Sequence, residues 1–348
     1  QIPPIIFENK YNIGYWAWEL DVFPLEWLKT IESFDEIWCP SSFIKQSIES
    51  SPGYDNTTVK VLPIPLQSLN DITHNDPHKT NNKNYITTLI EINARSNAFV
   101  FLVVFDFDSF VQRKNPEAAI KAFLEAFPAD QDLRKRYKLI VKSHSGTTDD
   151  MLKIKKIAKG DTRVVFINQV LSDADNHALH SHQDCYVSLH RSEGYGMNIL
   201  EAMGNGIPVI ATNYGGNVDF FNTVPNYVNI CYFPVPYVLV DLEETYGPYT
   251  KGNHWADADH DFTVAAMRSV VMNDCKKLYK DELSRRVNAN FGSRAIGDKI
   301  KNFLSQSFPK IVEKNNVHWG FLEEMERQEK LNKQKLEKEQ LEKEKQKS

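Results

Sequence analysis

Two carboxylates, Glu193 and Glu201, stand eight positions apart around Gly194-Tyr195-Gly196-Met197-Asn198-Ile199-Leu200. A carboxylate accepts hydrogen bonds from paired hydroxyls, and such charge-assisted bonds are worth roughly 1.5–3 kcal/mol. Gly194 and Gly196 lack the Cβ atoms that would hold a ligand off the backbone. A helix that opens near Met197 offers free N–H groups and the positive end of its dipole, a natural seat for phosphate. Glu193 lies on the loop before that helix, and Glu201 about one turn inside it. The two carboxylates therefore reach different parts of one extended ligand.

Such a loop needs a scaffold that presents it. From residue 98 onward apolar runs at 98–106, 137–142, 163–168, 185–189 and 207–212 alternate with helical patterns at 115–127, 149–159, 173–182 and 197–204. Strands alternating with helices of this length predict a parallel sheet covered on both faces. The runs are almost continuously apolar, as double coverage requires. In a doubly wound sheet, ligands bind outside the carboxyl ends of the strands, where the Glu193 loop is expected. Residues 1–65 mix short strands with aromatic loops: a strand in Tyr11–Trp16, a helix start at Phe23-Pro24, a strand at Glu36–Pro40, a helix capped by Ser41-Ser42 and a strand at Val59–Pro65. Residues 69–84, rich in Asn, Asp, Thr, His and Lys, read as linker or insertion. The stretch 213–260 reads as loop-rich, with two or three helices after it. In the tail, 321–348, eight Glu face eight Lys or Arg, and Leu331, Leu336 and Leu341 walk around a helix without forming a stripe.

The segment Ser192 to Ile210, with Gly206-Ile207-Pro208-Val209-Ile210-Ala211-Thr212 and Gly215-Gly216-Asn217 after it, resembles the donor-site motif of retaining glycosyltransferases of family 4 (group 1). The resemblance implies a GT-B fold, α/β with two Rossmann-like domains facing a cleft. It implies that Glu193 contacts the transferred sugar and Glu201 the nucleotide ribose. Gly194, Tyr195, Gly196, Met197 and Asn198 would approach the sugar and diphosphate, and main chain near Val170 the base. A second match, Phe105 to Pro116, carries Lys114 at the helix start, where the family has a Lys that neutralises the leaving diphosphate. The family's Arg is missing, since Asp108 and Ser109 stand there. Arg113 or Lys142 would supply the second charge. A third match, Ile13–Leu20 with Phe34–Ser42, is similar to the late first domain of a bacterial-type subgroup that builds polysaccharide or lipopolysaccharide. Glu19 would then orient or deprotonate the acceptor, or serve as a structural partner. Trp16 and Trp18 would stack on sugar or pack an interface. His190, just before the donor loop, would touch the ligand or support the fold.

The implied organisation is 1–65 as the end of a truncated acceptor domain, 66–97 linker, 98–290 donor domain, 291–320 crossing helices and 321–348 charged tail. The implied function is transfer of a hexose from a nucleotide sugar to a hydroxyl acceptor, glycan or lipid-linked, with retention. Alternatives are a GT-B-like nucleotide-sugar epimerase and a non-catalytic nucleotide-sugar-binding fragment. The nucleotide sugar is a substrate, so no cofactor is expected. No metal is expected either: Asp106 and Asp108 flank the cationic site, and His177, His180, His182 and Cys185 do not share one helix face.

The remaining composition excludes several classes. The net charge of −5 argues against a general nucleic-acid binder. The longest apolar run, Ala98 to Phe105, is eight residues, far below a membrane span. The four cysteines form no CxxC pair, so a reducing, cytoplasmic setting is expected, with peripheral contact at the membrane face if the acceptor is lipid-linked.

Overall fold

The chain's five apolar runs and one further segment become the strands of one parallel sheet. In the computed structural model, which describes residues 10–66, 98–128, 136–224 and 232–315 together with Phe7 and five residues of the tail, they are β4 (Phe99–Val104), β5 (Tyr137–Ser143), β6 (Val164–Asn168), β7 (Cys185–Ser188), β8 (Val209–Thr212) and β9 (Tyr232–Val235). The strand order is β6-β5-β4-β7-β8-β9, every pair parallel. The first strand of the series thus lies in the middle, and the order reverses between β4 and β7. This is the doubly wound arrangement, with its ligand crevice at that reversal.

The helices divide between the faces. On one face pack α3 (Val111–Lys114), α4 (Pro116–Ala126), α5 (Thr148–Ile157) and α9 (His260–Met272), around Phe101, Phe123, Leu139 and Met267. On the other pack α6 (Asp173–His182), α7 (Met197–Gly204) and α10 (Cys275–Phe291), around Leu102, Tyr186, Leu200 and Leu283. Burying one such side chain is worth about 1.5–3 kcal/mol. Pro116 opens α4, as its fixed φ and missing N–H favour. Thr147 and Asp150 close a capping box on α5.

The first part carries a three-stranded parallel sheet, β1 (Ile13–Tyr15), β2 (Glu36–Cys39) and β3 (Thr58–Val61), with β2 central. Between these strands run α1 (Leu25–Leu28) and α2 (Ser42–Ser50). The Ser41 hydroxyl caps α2 by accepting from the Ile44 N–H at 3.3 Å. The long α11 (Ser293–Asn315) returns to this sheet, where Ile296 and Phe303 meet Trp38 and Leu62.

One expectation changes. The stretch 213–260 is not simply loop: it holds the short α8 (Val218–Phe221), the edge strand β9 and an antiparallel hairpin of β10 (Tyr237–Asp241) and β11 (His254–Ala258). Prolines at 234 and 236 interrupt the apolar pattern, and β10 is exposed along most of its length, so neither strand alternates cleanly. The linker expected at 66–97 lies outside the described residues except for Leu66, and the tail except for Arg327, Gln328, Lys330, Leu331 and Lys333.

Candidate active site at the sheet reversal

The reversal brings two loops together. One leaves β4 and runs through Phe105 to Lys114; the other leaves β7 and runs through Leu189 to Met197. Arg113 staples them. Its carbonyl accepts from the Arg191 N–H at 2.7 Å. The Arg113 guanidinium donates to the Ser192 carbonyl at 2.9 Å and the Ser109 carbonyl at 3.2 Å, and it is 4% exposed.

Lys114 Nζ then lies 2.5 Å from Glu193 Oε2, and Arg113 Nη1 3.7 Å from the same oxygen. Burial works to raise the Glu193 pKa, but Lys114, Arg113 and His190 outweigh it and bring the carboxyl down to about 2. Glu193 is therefore a permanent carboxylate at neutral pH. Two cations share it, so the cluster keeps a net positive charge.

Next to this cluster α7 begins. Gly196, at φ +94, turns the chain into the helix in a conformation that side chains resist. The Gly196 carbonyl accepts from the Ile199 and Leu200 N–H groups, and no side chain caps the helix. The Met197 and Asn198 amides, the first two of the helix, have no intrahelical acceptor. Helix amides of this kind can seat an anion. Four residues past Met197, the half-buried Glu201 carboxylate has no hydrogen bond or ion pair among the described residues, and burial pushes its pKa up to about 7.

The loop is held so tightly that its glycines are needed. A Cβ on Gly194 would stand 2.4 Å from the Trp18 carbonyl oxygen, and one on Gly216 2.0 Å from the Gly194 carbonyl oxygen. The Ser41 hydroxyl donates to the Gly194 carbonyl at 2.6 Å, and the Gly216 N–H to the Glu193 carbonyl at 2.8 Å. The first part of the chain and the β8–α8 loop thus clamp the Glu193 turn from two sides.

The other candidate residues have definite places. Lys142, at the end of β5, is 6% exposed; burial lowers its pKa while Asp106 opposes that shift, and its ammonium has no bond partner among the described residues. Tyr195 is buried, with its hydroxyl on the Ile64 carbonyl at 2.7 Å and its ring against Phe220. His190 is fully buried: Nε2 donates to the Tyr214 carbonyl at 2.9 Å and Nδ1 faces the Ser188 hydroxyl at 3.0 Å. Both ring nitrogens are used inside the protein, and burial holds the imidazole below its usual pKa. Val170, 70% exposed, follows β6 at the carboxyl edge. Glu19 accepts from the Tyr249 hydroxyl at 3.0 Å. Trp18 is buried against Phe23, Trp27 and Tyr249, and Trp16 stacks on Phe23. Asp106 caps the turn after β4 and faces His144 at 3.3 Å. Among the described residues no three His, Cys, Asp or Glu side chains cluster to hold a metal ion.

One participant, Tyr249, is not visible in local sequence; a second, Trp255, lies in Trp255-Ala256-Asp257, which resembles a recurrent segment of the same subgroup but carries no role there. Tyr249, on the β10–β11 loop, is 4% exposed; it bonds Glu19 and sets its ring 5.6 Å from the Arg113 guanidinium. Trp255, on β11, places its ring 5.5 Å from the Arg191 guanidinium, while the Ala256 N–H donates to the Arg191 carbonyl at 2.7 Å. The hairpin therefore backs the cationic loop from outside the sheet.

Residues 107–224 match the family model described as glycosyl transferases group 1, a span that includes Lys114, Glu193 and Glu201. The fold is α/β of the GT-B type, with Rossmann-like domains, and it is shared with several solved structures. The N-terminal domain of Candida albicans trehalose-6-phosphate phosphatase matches with a TM-score of 0.58 at 15% identity, over 85% of this chain and 65% of that one. Sucrose-phosphate synthase from Thermosynechococcus elongatus matches at 0.56 and 18%, over 82% and 61%. Anabaena HepE, solved in complex with UDP and glucose, matches at 0.56 and 16%, over 84% and 71%. This chain thus spans less than two thirds of the first two. No curated protein sequence matches it.

Proposed function

We propose that this chain binds a nucleotide-diphosphate sugar at the reversal of its large sheet and transfers the hexose to a hydroxyl acceptor, with retention of anomeric configuration, as a member of family 4. The observation that carries this reading is the set formed by the Lys114–Glu193 ion pair, the two α7 amides without an intrahelical acceptor and Glu201, which has no partner among the described residues. Lys114 and the amides suit a leaving diphosphate, Glu193 the transferred sugar at one end of it and Glu201 the ribose at the other. The group 1 match over both loops supports it, as does the HepE structure with UDP and glucose.

Each residue then has a chemical task. Charge grows on the departing diphosphate in the transition state. Lys114 and the Met197 and Asn198 amides oppose that charge, and preorganised groups of this kind act without reorganising. Lys142, a buried cation without a bond partner among the described residues, is the better candidate for the second charge, because Arg113 is anchored to two loop carbonyls through Nε and Nη1. Glu193 orients the sugar hydroxyls, Glu201 takes the ribose, and main chain near Val170 meets the base. Glu19, held at one oxygen by Tyr249, keeps the other for an acceptor hydroxyl. We assign the acceptor to a glycan or lipid-linked saccharide, and the nucleotide sugar is read as substrate, with no resident cofactor.

Calorimetric titration with UDP-, GDP-, dTDP- and ADP-sugars tests this reading. One nucleotide sugar should bind saturably, and Glu201→Ala should weaken it by about 1.5–3 kcal/mol. A folded protein that binds none of them, or binds one equally well without Glu201, does not use this site for a donor.

A further inference from the structure

A second cleft lies on the other side of the clamped Glu193 turn. Its volume is about 640 Å³, within the range of small-ligand sites. Asp21 and one face of α2, including Phe43, Gln46 and Ser47, form one wall. The β8–α8 loop, with Tyr214, Gly215 and Asp219, forms the other, and Tyr237 stands at its edge.

Three features of this cleft point to a ligand. First, Asp21 Oδ1, Ser47 Oγ and Tyr214 Oη are buried and have no hydrogen-bond partner among the described residues. Ser47 is 1% exposed and Tyr214 7%. Buried polar atoms are normally paired, because leaving them unpaired costs stability. Two of these atoms come from the first part of the chain and one from the second, so the set is complete only where the parts meet. Second, the lining holds two carboxylates, Asp21 and Asp219, and no Lys, Arg or His. That charge pattern is the reverse of the Lys114 site and repels a diphosphate. Third, Tyr214 packs 5.2 Å from Phe43 and 5.1 Å from Tyr237, centroid to centroid, forming an aromatic corner. A neutral ligand with many hydroxyls and an apolar C–H face satisfies all three features: a sugar ring.

We infer that this cleft is a saccharide subsite, which holds a sugar of an extended glycan acceptor away from the reacting bond. The acceptor role rests on the transferase reading above. The cleft is separated from Glu193 by one layer of backbone. The Gly216 N–H reaches the Glu193 carbonyl at 2.8 Å, and the Tyr214 carbonyl is held by His190 at 2.9 Å. A sugar here is too remote to react. Its binding energy can still orient the reacting end, which is how distant substrate groups raise turnover.

The test uses the chain as it stands and saturation-transfer NMR with methyl glycosides of glucose, galactose, mannose and rhamnose. At least one should bind saturably, with a dissociation constant of about 1–10 mM, the weak range expected of one sugar ring. Tyr214→Phe and Ser47→Ala each remove an unpartnered hydroxyl, so both variants should keep the wild-type melting temperature while weakening the glycoside several-fold. Asp21→Asn should do the same. Glu201→Ala and a saturating nucleotide sugar should leave glycoside binding unchanged. No glycoside binding overturns the subsite, as does binding that the three cleft variants leave intact. Binding that a nucleotide sugar displaces assigns the glycoside to the donor site and also overturns it. Donor binding without glycoside binding removes only the subsite. Glycoside binding without donor binding keeps the cleft as a saccharide site and removes the transferase reading.

Discussion

Lys114 and Glu193 share one short ion pair, yet the two side chains serve different stages of the proposed reaction. Glu193 is charged in every state near neutral pH, because three neighbouring nitrogen bases hold its carboxyl at about 2. In that proposed reaction Lys114 meets a diphosphate whose charge increases as the sugar departs. Lys114→Ala should therefore lower kcat by about 100–1,000-fold, the loss typical of a transition-state charge donor, and change donor affinity much less. Steady-state kinetics beside calorimetric donor binding would check this; a loss confined to affinity would make Lys114 a ground-state contact. Glu201 behaves oppositely to Glu193. Its folded pKa of about 7 lies above that of a free carboxyl, with burial as the cause. A raised carboxyl pKa stabilises the fold at low pH, and that contribution is lost as pH rises through about 7. Donor binding runs the other way, since only the ionised carboxylate accepts two ribose hydroxyls. Affinity should rise between pH 6 and 8, and Glu201→Gln should flatten the profile. A profile that is already flat in the unaltered protein would mean that Glu201 does not meet the ribose.

At the scale of elements, loops set the geometry of the site, and glycines set the loops. A Cβ on Gly216 would collide with the Gly194 carbonyl and stand 2.8 Å from the Ser41 hydroxyl. Neither neighbour can yield, because one is backbone and the other a buried cap. Gly216→Ala should open the clamp, cost about 1–3 kcal/mol of stability as overpacking does, and weaken donor binding together with it. Gly297, inside α11, has nothing within 4 Å of its missing Cβ. Gly297→Ala should instead stabilise by about 0.5–1 kcal/mol. Denaturant melts of both variants would distinguish close approach from chain entropy. The same contrast explains what local sequence can reveal. The runs that become β4 to β8 are legible because double burial keeps their centres apolar and leaves polar residues mainly near the strand ends. The α7 start is legible because Gly194, Gly196 and the two glutamates are close in sequence. β9 to β11 are not legible, because Pro234 and Pro236 and an exposed hairpin erase both periodicities. Tyr249 is a sharper case. Its bond to Glu19 spans 230 positions, and no local spacing encodes it. His190 shows the converse: its position beside the donor loop suggests a ligand contact, while its two internal bonds reveal a post that carries the Tyr214 loop.

The whole molecule is joined by more than the clamp. Leu242, Tyr249 and Trp255, from the second part, are buried in one cluster with Trp18, Leu20, Phe23 and Ile37 of the first. On the far side α11 crosses to the small sheet, and there the binding is polar. Glu36, 4% exposed, accepts from Lys60 at 2.9 Å, Trp38 at 2.9 Å, Tyr11 at 2.9 Å and the Ser307 hydroxyl of α11. Burial alone would raise the Glu36 pKa, but the bonds from Ser307, Lys60, Trp38 and Tyr11 outweigh it and lower the value. A buried charge with four donors resists the loss of any one of them, so this carboxylate ties the crossing helix to the sheet it returns to. A lowered carboxyl pKa contributes stability above the pKa of the unfolded group, about 4.3, and that contribution is lost as pH falls. Glu36→Gln keeps the shape and removes the charge. It should destabilise by about 1.5–3 kcal/mol at pH 7, the worth of hydrogen bonds to a charged group. The gap from the unaltered protein should narrow steadily as pH drops below about 4.3. Because the two parts share a core and a helix, unfolding should remain a single transition at every pH where the protein folds. Urea melts of both proteins from pH 3.5 to pH 7, followed by tryptophan fluorescence and circular dichroism, measure all three points. Six tryptophans report on the chain, and Trp18 and Trp38 sit in the small first part while Trp255 sits in the hairpin of the second. Two separate transitions, with fluorescence leading, would show that the small sheet unfolds apart from the large one and that Glu36 serves only its own strand neighbours.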